Sequence, residues 1–256
     1  MPRSTARFRV HGELSELVRA GQLLVRAVDG TSTVKHLVEE LGIPHTEYRE
    51  VRVNGVPSHD GHRVQDGDVV DVYPAELPAP PVSEPRFVLD VHLGTLARYL
   101  RLLGFDTAYD NRSSDDDLLA QGAAEVRTLL TRDRGLLRRR VITDARLVRG
   151  TDPLEQLIDV VRRLRLGGWI RPYTRCTACN GALVPARRAD VAPLVPPGTL
   201  RDHEKFAACP ACGKVYWEGA HHARIAGLIA AAGAADMSRP VGKNPPGGTR
   251  RLDPDG

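Results

Sequence analysis

The chain has 256 residues, 41% hydrophobic and 27% charged, a soluble globular balance over a length that allows two or three separate cores. Its longest apolar run, Ile225 to Ala235, is too short to span a bilayer, so a transmembrane helix is excluded. The net charge of +4 rests almost wholly on arginine and favours an anionic partner only weakly, so a nucleic-acid surface has to be sought in clusters.

Strands are expected at Phe8 to Val10 and Leu23 to Val28, then a helix from about Thr33 to Leu41 closed by Gly42. Glu50 to Val53 is a further strand leading into the tight-turn signal Asn54-Gly55, and Asp66-Gly-Asp68 precedes the alternating strand Val70 to Tyr73. This ββαββ order resembles the β-grasp, ubiquitin-like fold of small sulfur carriers, on Gly42 to Glu47, Val53 to Gly55 and Asp66 to Pro74. Carriers act through a free Gly-Gly terminus, whereas here Tyr73-Pro74 runs on, so residues 1–75 read as a module that docks a protein partner. Residues 76–85 form a proline-rich linker, stiff and extended.

Beyond it strands and helices alternate, which argues an α/β unit with a parallel sheet over 86–170. Arg86 to Asp90 is its first strand. A helix follows with Leu93, Leu96, Ala97, Leu100 and Leu103 at helical spacing, stopped by Gly104. Phe105 to Tyr109 is a second strand, Ser114 caps a helix to about Ala124, and Val126 to Thr131 is a third strand. Arg146 to Arg149 reads as a fourth. Thr151 or Asp152 with Pro153 opens a helix whose stripe is Leu154, Leu157, Ile158, Val161 and Leu164.

All four cysteines fall in two Cys-x-x-Cys pairs, Cys176/Cys179 and Cys209/Cys212. Four thiolates at this spacing suit a closed tetrahedral zinc site, structural because no ligand position is left for substrate. A zinc ribbon is therefore expected over 171–237, ending in an apolar helix near Ala223 to Ala231. Two disulfides are the competing reading; without a secretory signal at the start, a reducing cytoplasm is expected instead. Residues 238–256 are polar and proline-bearing, expected to be a disordered tail.

In an open parallel sheet, the carboxyl ends of the strands and the first turns of the following helices share one edge. Asp90, the run Asp115-Asp116-Asp117 and Asp133 collect there. Carboxylates so gathered need a cation, and hard oxygen donors with open positions favour Mg²⁺ or Mn²⁺, the ions of phosphodiester hydrolysis. Acids in a helix's first turn are also favoured by the helix dipole alone. Arginines crowd two stretches, Arg127 to Arg140 and Arg162 to Arg175, suiting either phosphate or a solvated face. Phe206, Tyr216 and Trp217 beside basic residues suit base stacking and, equally, packing around a small ribbon.

Phe87 to Asp90, Leu96 to Asp106, Asp115 to Leu119, Leu129 to Arg134, Arg175 to Asn180 and Val215 to His221 together resemble the Mut7-C RNase family. That resemblance implies a PIN-like nuclease domain joined to a zinc ribbon, some members carrying an N-terminal ubiquitin-like domain. It implies metal ligation by Asp90, Asp115 and Asp133, with Asp116 as the substitute for Asp115, and RNA as substrate. A fourth acid has no clear match, Asp110 and Asp144 being candidates. Arg98, Arg101, Arg132 and Arg134 are the residues expected to meet RNA. The resulting expectation is a soluble α/β protein with β-grasp, PIN-like and zinc-ribbon units, acting as a metal-dependent ribonuclease. The alternative is a noncatalytic RNA-binding adaptor that recruits a partner through its β-grasp domain.

Overall fold

The computed structural model describes residues 4–18, 23–75, 81–139 and 144–217, with Gly227 and Ala230. The expected tail and most of the apolar helix of 223–231 lie outside them. Among the described residues no helix is long and apolar enough to cross a membrane.

Alternation sets the first sheet. In β1 (Thr5–Val10) Ala6, Phe8 and Val10 point into the core while Thr5, Arg7 and Arg9 face out. It pairs antiparallel with β2 (Leu23–Ala27). The helix α1 (Val34–Glu40) is capped by Thr33, whose hydroxyl accepts from the His36 amide, and buries Val34, Leu37 and Val38. β3 (Tyr48–Val53) turns through Asn54 and Gly55, both at positive φ, into a short β4 (Val56–Ser58) that the ββαββ reading omitted. β5 (Val69–Pro74) returns through the middle, parallel to β1, to give the order β2-β1-β5-β3-β4. This is the β-grasp fold expected.

The second sheet is wholly parallel, formed by β6 (Arg86–Leu89), β7 (Asp106–Ala108), β8 (Thr128–Thr131) and β9 (Ala145–Leu147) in the order β7-β6-β8-β9. β8 starts later than expected because Val126 caps the preceding helix in the left-handed conformation, 84% exposed. Two helices cover one face, α2 (Gly94–Leu102) and α5 (Pro153–Arg163), with Leu96, Leu100, Leu157 and Val161 packed on Phe87, Leu89 and Leu130. On the other face α3 (Asp115–Glu125) and α4 (Arg134–Leu137) bring Leu118, Leu136 and Leu137 onto Val88, Leu129 and Leu147. That second cluster is continuous with the β-grasp core.

Polar contacts close the same joint. Glu47, its side chain 2% exposed, accepts from Arg149 at 2.7 Å, from Arg163 at 3.1 Å and from the Leu147 amide at 3.3 Å. Glu13 takes Arg149 and Arg162, and Arg138 donates to the Glu39 carbonyl. Gly42 sits at φ +95, a backbone conformation that L side chains rarely adopt, and the Arg134 guanidinium lies against the position where a Cβ would be. The expected docking module is thus docked on its own chain.

The ribbon is a three-stranded antiparallel sheet of β10 (Val184–Ala186), β11 (Phe206–Ala208) and β12 (Val215–Trp217). The short α6 (Arg188–Val191) and α7 (Pro197–Asp202) lie between β10 and β11, and Val191, Val195 and Phe206 form its small core.

Candidate active site and zinc centre

The order β7-β6-β8-β9 reverses direction between β6 and β8, the first and third strands of this sheet, and ligand crevices form beyond the carboxyl ends of strands at such a point. Asp90 directly follows β6, and Asp133 lies two residues past β8. The two strands are in register, Leu89 beside Leu130, which brings Asp90 next to Thr131. The Thr131 hydroxyl donates to Asp90 Oδ2 at 2.7 Å and accepts from the Asp133 amide at 2.9 Å. Thr131 is fully buried and joins the two acids; no reading of the sequence singled it out. The available signal was a hydroxyl closing an otherwise apolar strand at a switch point.

Asp90 is 6% exposed, and burying a carboxylate is costly unless donors or a cation answer it. Asp133 is exposed and caps α4 by accepting from the Gly135 amide at 2.6 Å. The acids of α3 divide by task. Asp117 forms a capping box with Ser114, while Asp115 and Asp116 both pair with Arg139, at 3.1 and 2.5 Å. Asp90, Asp115 and Asp133 do not converge to within 4.8 Å of one another. Asp110 lies just past β7 on the same edge, but Asp144 precedes β9 at the opposite edge, held by Arg146 and Thr128, so it is corrected as a fourth acid.

The arginines expected to meet RNA also divide. Arg98 and Arg132 are exposed, and neither has an ion pair among the described residues. Arg134 donates to the Leu17 carbonyl, in the β-grasp joint. Arg101 is corrected: it is 4% exposed, and its guanidinium donates to the carbonyls of Thr107, Thr177 and Ala178, tying α2 and β7 to the first cysteine turn. Burial pulls its pKa down, while Cys176 and Cys179 push the other way. Many clustered arginines serve as internal struts, as Arg127 on Asp106 and Arg163 on Glu47 show.

At the ribbon the four cysteine sulfurs lie within 4.8 Å of one another, and no cysteine is in a disulfide. Cys176 and Cys212 are 3.6 Å apart, Cys179 and Cys209 3.4 Å. A zinc tetrahedron with bonds of ~2.3 Å has sulfur–sulfur edges of about 3.8 Å, so the set fits the ion with small adjustment. The two turns are built alike. Asn180 and Gly213, each four residues past the first cysteine of its pair, adopt φ of 68 and 72°, and each amide returns to that cysteine's carbonyl. A Cβ at Gly181 would sit 2.9 Å from Cys209 Sγ, so the pairs close up only around glycine.

A family model described as the Mut7-C RNAse domain matches residues 85–229, more than half of the chain, and one described as Mut7-C ubiquitin matches residues 3–79. No curated protein matches the chain. Among solved structures, SAMP1 from Haloferax volcanii is 18% identical and covers 29% of this chain and 99% of its own, with a TM-score of 0.25. A second structure, of H. volcanii small archaeal modifier protein 1, is 19% identical over 28% of this chain and 99% of its own, with a TM-score of 0.24.

Proposed function

The chain belongs to the Mut7-C RNAse domain family, and from that premise we propose that it is a metal-dependent ribonuclease cutting RNA at the carboxyl edge of its parallel sheet. The observation that carries this reading is the Thr131 hydroxyl at the switch point, which donates to the buried Asp90 carboxylate and accepts from the backbone amide of Asp133. Asp90 and Asp133 with Asp115, or Asp116 in its place, are hard oxygen donors suited to Mg²⁺ or Mn²⁺. When bound, such an ion supplies an activated water and offsets charge on the phosphodiester. Thr131 orients Asp90 by donating its only hydroxyl proton to Oδ2 of that side chain. Arg98 and Arg132, exposed and unpaired among the described residues, receive the RNA backbone. The reduced cysteines suit a zinc-loaded ribbon in a reducing cytoplasm.

Cleavage of an end-labelled RNA panel in Mn²⁺ tests the proposal. Wild type should cut, while Asp90→Asn, Asp133→Asn and chelator should each abolish cutting; undiminished cleavage by both variants would sink it. One observation favours the alternative, a noncatalytic RNA-binding adaptor. Arg139 neutralises Asp115 and Asp116, and the acids are not gathered around one point. In that case RNA affinity is the same with and without Mn²⁺ and no dose cuts. A protein partner would then meet the β-grasp unit at its outer strand β2, where Leu23 and Val25 are exposed.

A further inference from the structure

We propose that the cleft between the ribbon and the end of α2 is a subsite for one unstacked base of single-stranded RNA, an inference that rests on RNA being the substrate. The cleft encloses about 200 Å³ and is lined by Tyr173, Phe206, Tyr216, Trp217, Arg175 and Lys205, among others. It holds aromatic rings and cations and no acidic side chain. Aromatic faces with adjacent positive charge are what a single strand needs, because every base has a π-face and every nucleotide a phosphate.

The strand register makes the platform. Tyr216 stands opposite Ala207, so a methyl group rather than a large side chain flanks its ring. Lys205 precedes Ala207 by two residues and Lys214 precedes Tyr216 by two, which places both ammonium groups on that side; Lys214 Nζ is 5.7 Å from the ring centre. Neither lysine has an ion pair among the described residues, and the Trp217 indole N–H meets no acceptor there. The Tyr216 hydroxyl lies 3.0 Å from Cys176 Sγ and accepts from the Thr177 amide at 3.1 Å, so the zinc turn fixes the ring's orientation. Tyr173 closes the mouth from a left-handed backbone position, φ 63°, with 38% of its surface exposed.

The position of the cleft sets a footprint. It opens at Leu102, the last residue of α2, whereas Asp90 lies before the first turn of that helix. A nine-residue helix is ~14 Å long, about four nucleotides at a stacked rise of ~3.4 Å. A strand that stays stacked between the two places therefore spans about four nucleotides, and an extended one fewer.

Full-length, zinc-loaded protein and a fluorescent 12-nucleotide single-stranded RNA, without added Mg²⁺ or Mn²⁺, provide the test by anisotropy. Trp217→Ala and Tyr173→Ala should each weaken binding by about 5- to 100-fold. Lys205→Ala should weaken it a few-fold and lower the salt slope by about one. Trp217→Phe should retain most affinity, separating loss of stacking from loss of fold. Wild-type affinity in all three variants would overturn the proposal and leave the cleft to a protein or to this chain's own residues after Trp217. If Asp90→Asn cuts RNA undiminished in Mn²⁺ while the cleft variants lose binding, the nuclease reading fails and the cleft stands.

Discussion

Asn180 and Asp106 hold the zinc ribbon to the parallel sheet. The Asn180 amide donates to Asp106 Oδ1 at 2.7 Å, and its carbonyl oxygen accepts from the Thr107 amide at 2.9 Å. Arg127 donates to the same Asp106 oxygen at 2.7 Å, and Arg86 and Arg175 pair with the other.

Burial alone would raise the Asp106 pKa, but hydrogen bonds from Arg127 and Asn180, with the charges of Arg127 and Arg175, hold it at about 2 against an ordinary 3.8. A depressed carboxylate contributes stability above its unfolded value and loses it as pH falls through the folded one. The joint should therefore be intact at neutral pH and weaken between about pH 4 and pH 2. Asp106→Asn should cost about 2–4 kcal/mol at pH 7, since Arg127 is left buried with Glu125 as its remaining carboxylate. Urea midpoints of both proteins, measured at pH 7 and again near pH 2.5, should draw closer at the lower pH. A gap independent of pH would mean that Asp106 is not titrating in the joint.

Glu47 makes a second joint, and its loss should be felt on both sides. Removing it leaves Arg163 and Arg149, 8% and 11% exposed at their side chains, short of a shared acceptor, and takes away the carboxylate that accepts from the Leu147 amide. Glu47→Ala should destabilise the chain by about 3–5 kcal/mol. Hydrogen exchange at the Leu147 amide should accelerate well beyond that of β6 amides. Equal exchange at both strands would place the β-grasp unit loosely on the sheet.

The parts of this fold written in periodicity and punctuation are readable in the sequence. Apolar stripes gave α2 and α5, alternation gave β1, and the paired cysteines announced four sulfurs that do gather. Charge was less readable because composition carries no partner. Arg101, Arg127 and Arg163 look like a phosphate surface in one dimension, yet each is buried against this chain's own carbonyls or carboxylates. Thr131 escaped for the opposite reason. A threonine ending a strand is ordinary until the register puts it between Asp90 and Asp133.

Replacing one thiolate should empty the ribbon. Cys176 is buried, and its sulfur is the partner of the Tyr216 hydroxyl, so Cys176→Ser removes one of the four sulfurs that could hold zinc and the anchor of that ring together. Metal binding is coupled to folding in units whose own core is as small as Val191, Val195 and Phe206. Zinc content by atomic emission should fall from about one ion per chain toward none. The parallel sheet, whose apolar core contains no ribbon side chain, should keep its far-ultraviolet signal, so lost zinc with intact helices is the expected pair. Full zinc content in this variant would show that Cys176 is not a ligand.

Arg139 lies against Asp115 and Asp116, and a cation held there competes with any metal that those acids would bind. The pair is exposed on both sides, with 42% of the arginine and 45% and 88% of the two aspartates accessible, so it contributes little to folding. Arg139→Ala should therefore leave the melting temperature within a degree or two. Electrostatics acts differently on a divalent ion, which no longer has to displace a positive charge from its own ligands. Mn²⁺ affinity, measured by calorimetry on protein whose zinc is retained, should rise by about 2- to 10-fold. In Asp115→Asn the same arginine substitution should change Mn²⁺ affinity less, because the competition concerns that carboxylate. If Arg139→Ala instead weakens Mn²⁺ binding, the arginine orders the acids for the metal. If affinity does not move at all, Asp115 and Asp116 lie outside the metal site, and Asp90 and Asp133 must hold the ion without α3.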